Sequence, residues 1–151
     1  MNLQEELKAL KERIAELEER AKGEQEFPQV GDEYWRIDDK GSVDNSLYND
    51  YYTDNNRQSI GNFFQTEQQA EFIVEKLKVE AELRKYGRPF KEDENNYYIE
   101  LCPFDKTLSI NSSDYFKTQG TVYFESMEIA NESIITIGTD RIKKYIFEVE
   151  D

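Results

Sequence analysis

The stretch YNDYYTDNNR, residues 48 to 57, gathers the side chains best suited to hold a ligand. Tyr48, Tyr51 and Tyr52 offer flat apolar faces that stack on a base or pack on a partner, each with a hydroxyl at its edge. Asn55 and Asn56 read polar edges through paired donors and acceptors, and Arg57 can clamp a phosphate or carboxylate with two parallel hydrogen bonds. The same residues also suit a structural role, with the tyrosines covering a core edge, Asn and Asp making turns, and Arg57 paired with a nearby acid. A second basic group, Arg84, Lys85, Arg88 and Lys91, lies at and beyond the end of a helix. Cations there also answer the helix dipole; from this group Arg88 joins the ligand-binding candidates.

Catalytic chemistry finds less to work with. The chain has no histidine and one cysteine, Cys102, which removes the usual base near neutral pH, zinc sites, Ser-His-Asp triads and Cys-His dyads. Neither a phosphate-cradling loop nor a dinucleotide glycine pattern occurs. Asp38-Asp39 and Glu92-Asp93-Glu94 sit among turn-forming residues and read as solvated loop charges. The expectation is a non-catalytic protein with no metal and no cofactor.

Across 151 residues, 33 Asp and Glu face 19 Lys and Arg, a net charge of −14. That field repels nucleic acids and anionic membranes and favours basic partners, although it serves solubility equally well. No apolar run approaches the ~20 residues of a membrane span. One cysteine and a charged helical start, where a secretory signal would be apolar, point to a reducing cytoplasm.

The elements that must position the candidates follow from periodicity. Leu3, Leu7, Leu10, Ile14, Leu17 and Ala21 alternate steps of four and three, a heptad seam with Leu7, Ile14 and Ala21 at a and Leu3, Leu10 and Leu17 at d. Glu16 with Arg20, and Glu18 with Lys22, are favourable i,i+4 pairs on its flanks, and Gly23 ends the helix. Three heptads are marginal alone, so the seam predicts burial against other chains or against the body of the protein. Leu3, Leu7, Leu10, Ile14 and Leu17 are the candidate oligomerisation residues.

From Val30 the period becomes that of strands. A hairpin is expected around the DKGS turn, then a loop through residues 51 to 59 and a short strand at residues 60 to 64. Thr66 and Gln69 form a capping box opening a helix that runs to Tyr86, where Gly87 and Pro89 stop it. One apolar face of this helix reads Ala70, Ile73, Val74, Leu77 and Ala81, the other Phe72, Val79, Leu83 and Tyr86, a pattern for a helix clamped between two surfaces. A second hairpin flanks Asp105-Lys106, residues 120 to 124 read as a strand, and Ser126 caps a helix ending at Gly138. The last segment has helical spacing, although residues 145 to 149 also suit a strand; we read a short helix.

Residues 61–71 and 120–130 resemble one another. Phe64-x-Thr66-x-x-x-Ala70 aligns with Phe124-x-Ser126-x-x-x-Ala130, and Tyr34-Trp35 stands where Tyr97-Tyr98 stands. An aromatic ends a strand, a hydroxyl caps a helix, and Ala allows close packing. Such self-similarity points to a duplicated unit, although Phe-x-Ser/Thr before a helix is also common strand-to-helix grammar. The expected fold is α+β: a coiled-coil helix (1–23) followed by two similar hairpin-strand-helix units (27–89 and 96–151) in one domain.

The run Asn56-Arg57-x-x-x-Gly61-Asn62-x-Phe64-x-Thr66-Glu67-x-x-Ala70-Glu71, continuing into Val74-Glu75-Lys76-Leu77, resembles a signature of small accessory proteins of phages of Gram-positive bacteria. So do Gly120-x-Val122-Tyr123-Phe124-x-Ser126 and Ile137-Gly138-x-x-Arg141-Ile142-Lys143-Lys144-Tyr145-x-Phe147. The resemblance carries no assigned chemistry; it implies a protein acting against host defence in the cytoplasm of the infected cell. On that footing the expected function is a homo-oligomer that sequesters a small nucleotide-type immune signal. The alternative is an acidic mimic of nucleic acid that blocks a basic host nuclease or regulator. Neither involves direct nucleic-acid or membrane binding.

Overall fold

The structure, a computed structural model, describes residues 2–23 and 26–150. The described residues form five helices and two antiparallel hairpins, an α+β arrangement. Helix α1 (Leu3–Gly23) follows the heptad pattern. Its described side chains are all exposed, so the seam is not docked on the body of the chain. The Lys22 side chain, and with it the expected pair with Glu18, lies outside the described residues.

Strands β1 (Glu33–Ile37) and β2 (Val43–Leu47) form the first hairpin. Asp38 closes its turn: one carboxylate oxygen accepts the amides of Lys40 and Ser42, both at 2.9 Å. The segment expected as a loop is instead helix α2 (Tyr52–Ser59). It carries no apolar stripe, its one buried residue being Asp54, so periodicity could not reveal it. The strand expected at 60–64 shrinks to a single bridge, Phe64 with Trp35. Gly61, at φ +78°, turns the chain there. Asn62 then replaces strand backbone with its side chain: Ile37 N–H donates to Oδ1 at 2.6 Å, and Nδ2 donates to the Ile37 carbonyl at 2.7 Å.

Helix α3 (Glu67–Tyr86) opens on the expected box, with Gln69 N–H donating to Thr66 Oγ1 at 3.2 Å. It packs on the first hairpin and on α4 and α5, as a helix greasy on two sides should. Its buried positions are Ala70, Val74, Val79 and Leu83. Leu77 and Ala81, expected in the same stripe as Ala70, are exposed; the buried side changes along the helix as the surfaces it meets change. Gly87 ends it by close approach: a Cβ there would stand 2.6 Å from Val122 Cγ1 and 3.1 Å from the Tyr123 carbonyl.

Strands β3 (Asn96–Leu101) and β4 (Leu108–Ser113) form the second hairpin. The strand expected at 120–124 is reduced to bridges, Tyr123 with Arg88 and Phe124 with Tyr97. Ser126 caps α4 (Met127–Ile137) by accepting the Ile129 amide at 3.1 Å, and α5 (Thr139–Tyr145) is the short helix read in the last segment. Val79, Leu83, Phe124, Ala130, Ile137 and Ile142 make the buried core between α3, α4, α5 and this hairpin. A smaller aromatic group serves the first hairpin, with Phe63 stacked on Tyr34 (centroids 4.1 Å apart) and flanked by Phe27 and Tyr48.

Candidate functional site

The tyrosine- and asparagine-rich stretch bends around α2, and most of its polar groups turn on one another. Tyr34 is fully buried in β1, and its hydroxyl donates to Asp54 Oδ1 at 2.6 Å while accepting from Arg57 Nη1 at 2.7 Å. The other Asp54 oxygen accepts the amides of Asn49 and Tyr51 at 3.0 and 3.2 Å, tying down the start of α2. The Tyr34 hydroxyl, and after it the Asn49 amide, hold the Asp54 carboxyl below the usual aspartate range. Burial, then the hydrogen bond to Asp54, pushes the Tyr34 phenol up. Asn55 is engaged as well: its Oδ1 accepts from the Tyr48 hydroxyl at 3.2 Å, and its Nδ2 donates to Asp50 at 3.0 Å.

Arg57 therefore faces inward, whereas Tyr51 and Tyr52 project, 67% and 83% exposed, and Asn56 is also exposed. Arg88 belongs to a separate network. Its guanidinium donates to Asn96 Oδ1 at 2.7 Å and to the carbonyls of Pro89 and Asn95 at 3.0 and 2.9 Å. Asn96, fully buried, returns hydrogen bonds to the carbonyls of Lys91, Glu94 and Ser113. Both arginines named as ligand-binding candidates are thus engaged within the fold, Arg57 holding α2 to β1 and Arg88 holding the loop before β3 to that strand. The structural reading of Arg57, paired with a nearby acid, holds in Asp54 at 4.0 Å; its bond to Tyr34 and that of Arg88 to Asn96 are not signalled by spacing.

Two broad surface grooves sit elsewhere, and they correspond. The bridges equate Trp35 with Tyr97 and Phe64 with Phe124, which moves the sequence alignment of Tyr34-Trp35 on Tyr97-Tyr98 by one residue. Tyr34 then matches Asn96, each fully buried and each hydrogen-bonded to an arginine. In the ladders Trp35 faces Asn45 and Tyr97 faces Ser112, so Gly41, Ser42 and Val43 match Leu108, Ser109 and Ile110. The caps equate Thr66 with Ser126, and Ala70 and Ala130 are both fully buried.

One groove, of ≈ 660 Å³, is lined by residues 41–43 and by Glu67, Gln68, Glu71 and Val74 of α3. The other, of ≈ 720 Å³, is lined by residues 108–110 and by Met127, Glu128, Asn131 and Ile134 of α4. These are the same positions in both hairpin-helix pairs. Helix α5 lies between them, contributing Lys144 and Tyr145 to the first and Thr139 and Lys143 to the second.

The first groove meets its hairpin at the turn and at Val43, where β2 begins, the second at Leu108–Ile110 of β4, and the opening turns of a helix form the other wall of each. Among the described residues, no strand or bridge pairs with the outer edge of β2 or β4. An unpaired edge presents a row of backbone donors and acceptors, and an extended segment laid beside it satisfies them while its side chains meet the helix. The first groove is acidic, with Glu67, Glu71 and Glu75 on successive turns of α3. Of its cations, Lys78 is bound to Glu75 at 3.2 Å and Lys144 lies over the Tyr145 ring. The second is more apolar, through Leu108, Ile110, Met127 and Ile134.

Fold and grooves define a small α+β protein with two strand-and-helix clefts and an exposed amphipathic helix. Comparisons with protein-family models, with curated proteins and with solved structures find no match. Among the described residues, no helix is long and apolar enough to cross a membrane, and no group of acidic or sulfur side chains is arranged to hold a metal ion.

Proposed function

We propose that this is a non-catalytic binding protein, assembled as a homo-oligomer through α1, that captures an extended basic segment of a protein partner in its two grooves. The observation that carries the reading is the recurrence of one groove at matching positions, where the return strand of each hairpin begins beside a helix. Charge supports the choice of partner: the net charge is −14, and Glu67, Glu71 and Glu75 line the first groove. The inward engagement of Arg57 and Arg88 weighs against a phosphate-bearing ligand as the principal one. The matching of bridges, caps and grooves supports descent of the two hairpin-helix pairs from one duplicated unit. The phage resemblance supplies a setting, inhibition of a basic host defence protein in the cytoplasm of the infected cell.

The test is binding of a panel of extended peptides alternating lysine with an apolar residue, mapped by amide chemical shifts. Saturable shifts should concentrate on residues 43–47 and 108–113, with affinity falling as salt rises. Glu67→Lys with Glu71→Lys should abolish binding in the first groove alone. Binding that ignores salt, or that maps away from both strands, sinks the reading. A second reading, sequestration of a small nucleotide-type ligand at subunit interfaces, draws on the exposure of Tyr51 and Tyr52. Native mass spectrometry that releases such a ligand in fixed ratio from the oligomer would favour it.

A further inference from the structure

Leu3, Leu7, Leu10, Ile14 and Leu17 are 84%, 53%, 61%, 54% and 46% exposed. A seam of this kind is withdrawn from water when another helix covers it. We infer that the covering helix is α1 of another copy, running parallel and in register, an inference that rests on the reading of α1 as the assembly helix.

The charges beside the seam carry the direction. With Leu3, Leu10 and Leu17 at d and Leu7 and Ile14 at a, the flanking e positions are Gln4, Lys11 and Glu18, and the g positions are Glu6, Arg13 and Arg20. In a parallel in-register pair, each g residue faces the e residue of the next heptad on the other helix. Glu6 then meets Lys11 of the partner subunit, and Arg13 meets Glu18 of the partner subunit. Symmetry doubles both pairs, and every such contact is between opposite charges.

An antiparallel pair with the same apolar seam sets g against g and e against e. Glu6 would gain the partner's Arg20, but Arg13 would face the partner's Arg13 and Lys11 the partner's Lys11. Two like-charge contacts would sit at the middle of the seam. Within its own helix Arg13 reaches Glu16 at 3.2 Å, with both side chains more than half exposed (61% and 65%). An exposed pair of that kind is weak and exchanges readily for one across the interface.

Direction matters to function. Parallel helices bring every Gly23 to one end of the bundle, so the bodies and their grooves emerge together. Antiparallel helices of this length would separate them by about 30 Å. Clustered grooves raise the effective concentration for a partner that offers more than one basic segment.

The experiment uses the full chain with Cys102→Ser, which removes its one native thiol, and Leu3→Cys as a reporter. Mass is measured first under native conditions, then disulfide formation after mild oxidation. Parallel order sets the two introduced thiols side by side, within bonding reach. Antiparallel order sets them about 27 Å apart. An oligomer that cross-links through position 3 is the expected result. An oligomer that does not cross-link overturns the parallel arrangement and leaves the assembly reading standing; a monomer of the chain with Leu3 intact overturns both. Lys11→Glu should loosen association roughly tenfold by turning attraction to repulsion, and adding Glu6→Lys should restore it. A double variant as weak as Lys11→Glu alone overturns the charge argument.

Discussion

Replacing Tyr34 by Phe isolates the node that holds α2 to the first hairpin. The ring and its stacking on Phe63 stay, while both hydrogen bonds of the hydroxyl go. Asp54 Oδ1 then has its nearest cation at 4.0 Å, in Arg57, with its residue buried. Stranding a buried charged acceptor costs about 1–3 kcal/mol. Asp54 keeps two backbone amides on its other oxygen, and the Arg57 side chain is 25% exposed, so water serves part of the loss. These offsets place the expected cost near 2 kcal/mol, equivalent to a fall in Tm of about 4–8 °C for a domain of this size. Urea unfolding followed by Trp35, the single tryptophan, reads the same hairpin and should show a lower midpoint at unchanged slope. A loss below about 0.5 kcal/mol refutes the assignment of the hydroxyl as a stabilising hinge between Asp54 and Arg57.

The pH dependence of that loss is a second check. Because the folded Asp54 carboxyl titrates below its unfolded value, its contribution is fully present above about pH 3.9 and disappears as pH falls through the lower folded value. The Tyr34 hydroxyl is the largest cause of the depression. The gap between wild type and Tyr34→Phe should therefore narrow as pH is lowered from about 5 to about 3. A gap that widens with acid contradicts the direction assigned to Asp54.

Gly87→Ala should destabilise by about 1–3 kcal/mol through overpacking, since its methyl would meet Val122 Cγ1 and the Tyr123 carbonyl. Adding Val122→Ala should recover only part of the loss in thermal unfolding, because the carbonyl cannot retreat as a side chain can. Arg141 grips Glu82 with two bonds, at 2.9 and 3.2 Å, and holds its carboxyl below the usual glutamate range. Both side chains are 38% exposed, so a double-mutant cycle with Glu82→Gln and Arg141→Gln should give a coupling of no more than about 1 kcal/mol; a value above about 2 would contradict the solvent screening assumed here.

What the chain determined without tertiary contacts is what its local chemistry encodes. The heptads of α1, the Thr66 and Ser126 caps, the turns at Asp38 and Asp105, and the stop at Gly138 each depend on residues within a few positions of one another, and each is legible in the sequence. Helix α2 was not, because it has no apolar face; it forms around Asp54, whose partner Tyr34 lies 20 residues earlier. The expected strand at 60–64 likewise gave way to a distant interaction, the Asn62 amide taking the place of backbone beside Ile37. Arg57 and Arg88 stood as ligand-binding candidates because their acceptors, Tyr34 and Asn96, are named only by the fold. The grooves are the clearest case. Each is walled by a hairpin, a helix and α5, three segments far apart in the chain, so the spacing of residues could suggest that two parts of this protein are alike but not that each would leave a strand edge open beside a helix.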